Sequence, residues 1–256
     1  MRVRSEGLYT PPVPTNTTIV VSDAHLGHAP DGVTEAFRRF LEAVPSIGNH
    51  LVINGDLFEF WFEYRSVIPR EAFPTLEALS ALRRAGVRLT LTGGNHDRWG
   101  GPFWIEQLGA AFHPDGIELE LAGLRALVAH GDAIGGERRG ARVLHRLTRH
   151  RAVVGLFRAL HPDLAFALVR RMSLHLSAGA RDEATRQRAS ERQLSQARSI
   201  LDERDDLNLV VYGHTHLPAL VPARDWQWYL NPGAWAEGYR FATVTAQGPT
   251  LRQFEG

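Results

Sequence analysis

An α/β fold with a late helical insertion is what the sequence predicts, on three observations. Strand-like and helix-like segments alternate over the first 132 residues, strand patterning stops between Asp132 and Leu207, and it then resumes for three more segments. TTIVVS (17–22) is an apolar run between polar residues, as expected of a buried strand. GVTEAFRRFLEAV then sets apolar residues three and four apart, which makes one apolar helix face. HLVIN (50–54) is a second buried strand, and EAFPTLEALSALRRAG a second helix with Gly86 as its stop. VRLTLT (87–92) alternates through Val87, Leu89 and Leu91, so it has one buried face. GIELELAG (116–123) is expected to pair antiparallel with the strand LRALVA (124–129).

From Asp132 to Leu207 the pattern is helical, with breaks at Gly135–Gly136, Pro162 and Gly179. Strands return at LNLVVY (207–212), WQWYLN (226–231) and RFATVT (240–245). The chain therefore divides into a core of residues 1–132 and 207–256, with residues 133–206 as an inserted, Arg-rich helical cap.

Composition narrows the chemistry. Of 256 residues 44% are hydrophobic, enough to bury a sizeable core. With no Cys, disulfides, thiolate metal sites and cysteine nucleophiles are excluded. MRVRSEGLYTPPVPTNTT lacks the apolar core of a secretory signal, and no apolar run approaches the ~18 residues of a membrane span, so a cytoplasmic protein is expected. The net charge of +1 conceals an asymmetry: residues 133–200 carry 14 Arg against 5 acids. Such a block is either a solvated helical face or a surface for an anionic partner.

The residues just past each strand carry the functional signal. Asp23 and His25 come after the first, Asp56 and Glu59 after the second, and Asn95, His96 and Asp97 after the third. His130 comes after LRALVA, and His214 and His216 after LNLVVY. In open α/β sheets the carboxyl ends of strands are where sites assemble. One such turn alone is most often a cap; five in register make a site. Asp, His and Asn without Cys are donors for Mn, Fe, Zn or Mg. Their number exceeds the four ligands one zinc ion takes, so two ions sharing a carboxylate is the economical reading. His214-Thr215-His216 in an extended segment would aim its imidazoles to opposite faces, so a turn or flanking metals must bring both to use.

In order, the motifs are Asp23-Ala24-His25, Gly55-Asp56-Leu57-Phe58-Glu59, Gly94-Asn95-His96-Asp97, His130 and Gly213-His214-Thr215-His216. This series resembles the calcineurin-like metallophosphoesterases, and NPGA (231–234) is similar to a late motif of that family. The resemblance implies a four-layer αββα sandwich of two facing sheets. It also implies two divalent ions, manganese first with iron or zinc as alternatives. One ion would be held by Asp23, His25, Asp56 and His216, the other by Asp56, Asn95, His130 and His214. A metal-generated hydroxide would attack the phosphorus in line. His96 would serve as general acid or transition-state donor, with Glu59 or Asp97 orienting it.

Specificity has to come from the surroundings. In the cap, Val153, Leu156, Phe157 and Leu160, then Leu164, Leu168 and Met172, recur at helical spacing with Arg interleaved. SDAHLG, GDLFEFW, HGD followed by an Arg-rich cap, and GHTH are similar to one branch of the family, the UDP-2,3-diacylglucosamine diphosphatases of lipid A synthesis. The implied substrate is a UDP-linked acylated sugar, cleaved to UMP and the lipid 1-phosphate, by a protein peripheral at the inner membrane through its cap. The branch often has Arg after the ligand Asn, where this chain has His96. A phosphodiesterase or phosphatase for another nucleotide or lipid pyrophosphate is the alternative. A binding protein that lost the reaction is a third, and such proteins tend to lose ligands that this chain keeps. No nucleic-acid partner is expected, because the insertion lacks the exposed stacking aromatics that would favour single strands. No pattern addresses the oligomeric state. EFWFEY (59–64) belongs either to the core or to a pocket wall.

Overall fold

The computed structural model describes residues 16–27, 32–134, 150–169, 171 and 183–255. Its strands form two mixed sheets. The first runs β11-β10-β1-β2-β3-β4, comprising β1 (Thr18–Val21), β2 (His50–Asn54), β3 (Arg88–Thr92), β4 (Ala111–His113), β10 (Arg240–Thr245) and β11 (Gly248–Gln253). The second runs β5-β6-β7-β9-β8, comprising β5 (Ile117–Leu121), β6 (Leu124–Val128), β7 (Leu209–Val211), β8 (Ala219–Pro222) and β9 (Trp228–Asn231). β1 to β4 are parallel to one another, as are β6, β7 and β9; β5 pairs antiparallel with β6, as its sequence predicts.

The two-residue period of the strands decides the layering. Val20 and Val52 face inward, where they meet Ala126, Val128, Leu209, Val211 and Leu230 of the second sheet. Ile19, Val21, Leu51 and Ile53 face outward onto Phe37 and Phe40 of α1 (Val33–Ile47) and Leu76 and Leu79 of α2 (Phe73–Arg84). On the far side, Val210 and Tyr212 pack with Ala197 and Leu201 of a long helix, Glu183–Glu203. Four layers result, helix on sheet on sheet on helix.

The inserted stretch has two structural parts. α4 (Arg151–Ala159), which comes after the short α3 (Pro102–Glu106), buries no residue, and the next helix, α5 (162–169), buries only Ala165. Pro162 starts α5, in keeping with the break expected there. Both helices lie on EFWFEY: Phe157 is 4.7 Å from Phe62 and Phe166 is 5.2 Å from Phe60, ring to ring. That segment is thus core and wall at once, with Trp61 inside the main core and Phe60, Phe62 and Tyr64 under the inserted helices. The Glu183–Glu203 helix, here α6, belongs instead to the fourth layer. Residues 1–15, the breaks at Gly135–Gly136 and Gly179, and Met172 lie outside the described residues. Among those described, no helix is long and apolar enough to cross a membrane.

His50, at the start of β2, is buried between the sheets. Arg88 donates to its Nδ1 at 3.1 Å and its Nε2 lies 2.9 Å from Thr90 Oγ1, so the ring is held neutral with Nε2 protonated. Burial first, and the Arg88 charge second, push its pKa down to about 3 from 6.5. The unfolded chain therefore binds the extra proton, and the stability His50 contributes is complete above 6.5 and is lost as pH falls toward 3. In metal-free protein, denaturant unfolding between about pH 7 and about pH 5 should show roughly 2 kcal/mol of this loss, and His50→Gln should remove it from the profile.

Candidate metal centre

Because β1, β2 and β3 run parallel in one sheet, and β6 and β7 in the other, their carboxyl ends share one edge of the sandwich. Asn54 ties the sheets together there: its Nδ2 donates to Ala129 O at 3.0 Å, and its Oδ1 accepts from Thr92 Oγ1 at 2.8 Å. Ser22 Oγ lies 2.8 Å from Asn54 O and 2.5 Å from Asp23 Oδ2.

The side chains delivered to this edge fall into overlapping groups. Asp23, His25 and His216 each offer an atom within 4.8 Å of the others, and so do Asp56, His130 and His214. Asp56 Oδ2 lies between the groups, 3.1 Å from His130 Nε2 and 3.9 Å from His25 Nε2. His96 forms a further group with His25 and Asp56. His214 and His216 both adopt positive φ, 68° and 61°, so the segment is a turn and its two imidazoles enter different groups.

Three imidazoles have Nδ1 engaged and Nε2 turned inward. His25 Nδ1 is 3.0 Å from Glu59 Oε2, His216 Nδ1 is 2.7 Å from Glu237 Oε1, and His130 Nδ1 donates to Asn54 O at 3.0 Å. An outer partner on one ring nitrogen fixes the tautomer and leaves the other as a ligand. A buried oxygen without a hydrogen bond fits the same use: Asn95 Oδ1 has none. The residues present therefore fit divalent ions, held through nitrogen and oxygen alone.

Charge at the site runs far from ordinary values. Burial alone would raise Asp23, but the His216 hydrogen bond and the His130 and His216 charges hold it at about 2. Asp56 is likewise held well below the carboxylate range; burial opposes this, and the facing His130 and His96 outweigh it. For His216 burial works downward, yet Asp23 and Glu237 lift it to about 10. Burial and the His130 charge push His214 down to about 4. Carboxylates that draw protons onto these imidazoles are the ones that would draw divalent cations.

Asp97 faces backbone amides. Its buried carboxylate accepts from the amides of Gly94 at 2.8 Å, Leu57 at 2.7 Å and Asp56 at 3.2 Å, so it ties the second motif to the third. Burial and Asp56 raise it to about 6. His96 Nδ1 instead donates to the main-chain oxygen of Glu59 at 2.7 Å, with the Glu59 carboxylate 3.7 Å away.

Several contributors have no signal of this kind in sequence. Gln193 of α6 donates to Gly213 O at 3.0 Å and accepts from Tyr229 Oη at 3.1 Å, behind the His214 turn. Asn231, the first residue of NPGA, donates to Gly213 O and Thr215 Oγ1 at 3.0 and 3.1 Å. Arg98 and Asp132 form a buried ion pair between the third and fourth motifs. Asn231, in NPGA, and Asp132, in HGD, are the ones that lie in a motif that could have pointed to them.

A family model described as calcineurin-like phosphoesterase matches residues 17–218. The UDP-2,3-diacylglucosamine hydrolase of Porphyromonas gingivalis is 29% identical over 251 residues, covering 91% of this chain and 96% of the relative. That of Ralstonia nicotianae is 29% identical over 222 residues, covering 84% and 83%. Among solved structures, vacuolar protein sorting 29 of Cryptosporidium parvum aligns over 93% of this chain and 91% of its own, with 13% identity and a TM-score of 0.47.

Gly94 shows how little slack the site has. A Cβ there would stand 2.1 Å from Asp56 Oδ1 and 2.6 Å from Asp56 N. Gly94→Ala should therefore displace Asp56 and lose bound metal in elemental analysis. Gly86→Ala, where a Cβ meets nothing within 4 Å, should keep the metal although its φ of 87° is strained.

Proposed function

The chain belongs to the calcineurin-like phosphoesterase family and is a metal-dependent phosphoesterase; from that premise we propose that it cleaves the pyrophosphate of UDP-2,3-diacylglucosamine to UMP and 2,3-diacylglucosamine 1-phosphate. The observation that carries the substrate is a cavity of about 770 Å³ whose walls include Tyr64, Val67, Ile68, Phe166, Arg70 and Arg171. Apolar walls suit acyl chains; Arg70 and Arg171 share the lining with Glu71 and Asp163, so its apolar part carries the argument. The cavity lies near the ligand edge: a Cβ on Gly27, two residues past His25, would meet Glu71 of its lining at 3.8 Å. The names of the relatives agree with this substrate.

Asp23, His25, Asp56 and His216 would hold one ion, and Asp56, Asn95, His130 and His214 the other. Two such cations, manganese in the favoured form, supply Lewis-acid charge to a phosphate and acidify water. The chain's own residues supply the rest. With Nδ1 donating to Glu59 O, a protonated His96 keeps an Nε2–H to give to the leaving oxygen. Asp97 keeps the His96 turn against the Asp56 turn.

The same assignment would make α4 and α5, which pack on EFWFEY, the part of the insertion that bears on specificity, while α6 serves the fourth layer. Leu156, Leu164 and Leu168 of these helices are exposed, and Arg151 and Arg158 accompany them. That face suits an anionic bilayer surface, which would bring the enzyme to a lipid substrate at the cytoplasmic side of the inner membrane.

The test is product analysis on manganese-loaded protein offered UDP-2,3-diacylglucosamine and, separately, an aryl phosphodiester, with Asp56→Asn as the blank. UMP should appear from the first and vanish in the variant together with bound metal. Turnover of the aryl ester alone would falsify the lipid substrate and keep the phosphoesterase. His96→Ala should lower kcat by ~10²–10⁴ with its metal content unchanged.

A further inference from the structure

Behind His216 stands a chain of charges that no motif announces. Arg186 Nη1, from α6, donates to both Glu237 oxygens at 3.0 and 2.9 Å. Glu237 Oε1 lies 2.7 Å from His216 Nδ1, and His216 Nε2 lies 3.4 Å from Asp23 Oδ1. Glu237 ends a short 3₁₀ turn, Trp235–Glu237, that is fastened to the first motif: Trp235 N donates to Ser22 O at 3.0 Å and Ala236 N to Asp23 O at 3.2 Å. The carboxylate is thus placed by the same backbone that places Asp23.

The two ligand groups differ in what backs them. His25 and His216 both have a carboxylate on Nδ1, whereas His130 has a neutral carbonyl, Asn54 O. A carboxylate behind a ligating imidazole makes the opposite nitrogen a stronger donor and fixes the tautomer. Resting on the two-metal reading above, we propose that Glu237, clamped by Arg186, is the positioning residue of His216 and makes the Asp23–His25–His216 group the tighter of two unequal metal sites. The plainer account is a half-exposed surface ion pair, which is ordinarily worth little. Against it stands the short bond to a ligand imidazole.

Titrating metal-free protein with Mn²⁺, followed by calorimetry and by electron paramagnetic resonance, separates the two accounts. Wild type should take up two ions with distinct affinities. Glu237→Gln should weaken the tighter site ~10–100-fold and leave the other near its wild-type value. Glu237→Asp, and Arg186→Met with Glu237 intact, should fall between. Glu118→Gln, which removes the surface partner of Arg125 and Arg204, should match wild type. The proposal is overturned if Glu237→Gln titrates like Glu118→Gln, or if both sites weaken together with a drop in the metal-free melting temperature. Fewer than two ions on wild type would instead sink the two-metal reading before any variant is compared.

Discussion

The constraint on which this structure turns is the burial of two carboxylates, Asp23 and Asp56, side by side at one edge of a sandwich. Charges removed from water in this way are tolerated only with strong partners. The edge is built of such partners: imidazoles on the inner side, amides and hydroxyls behind. Ser22 and the amide of His214 answer Asp23, while the amide of His96 and the ring of His130 answer Asp56. Cations are the remaining partner that this balance of charge invites.

The backbone bears part of the cost. Asp23, His25, Asp56, His214 and His216 all adopt positive φ, between 47° and 68°, a region that costs non-glycine residues on the order of 1–3 kcal/mol each. Such conformations persist only where surroundings over-determine them. Here the surroundings are strand ends locked by register, the Asp97 clamp across three amides and the Asn54 bridge between sheets. Next to them Gly55 makes room: a Cβ there would lie 2.4 Å from His130 Nδ1.

Much of this was legible in the sequence, and for a physical reason. Buried strands advertise themselves as apolar runs, and the polar residues that end them cannot hide. The strands left out of the sequence reading are all at sheet edges: β4, three residues long, β8, the four apolar residues ALVP, and β11, mixed and polar as GPTLRQ. Three or four residues are too few to display a period, and a strand paired on one side only, like β11, can be polar. The inner layer of the site was readable for the same reason as the strands. The outer layer was not, because Gln193, Glu237 and Arg186 act through hydrogen bonds to partners 20 to 51 positions away, and nothing local marks them. The place of Asp97 was ambiguous from its neighbours, because the amides its oxygens face lie in two different motifs.

The architecture has a mechanical side as well as a chemical one. The donors of the two groups come from different sheets, with Asp23, His25, Asp56 and Asn95 at the ends of strands of one and His130, His214 and His216 at the ends of strands of the other. The separation between the sheets, set by Val20, Val52, Val128, Leu209 and Val211, is therefore also the gauge of the ligand cage. A methyl group gained or lost in that layer, far from any substrate, acts as a shim under one wall of the cage. In this fold the quality of the inner packing and the calibre of the reactive centre are a single mechanical dimension, and selection on either one is selection on both.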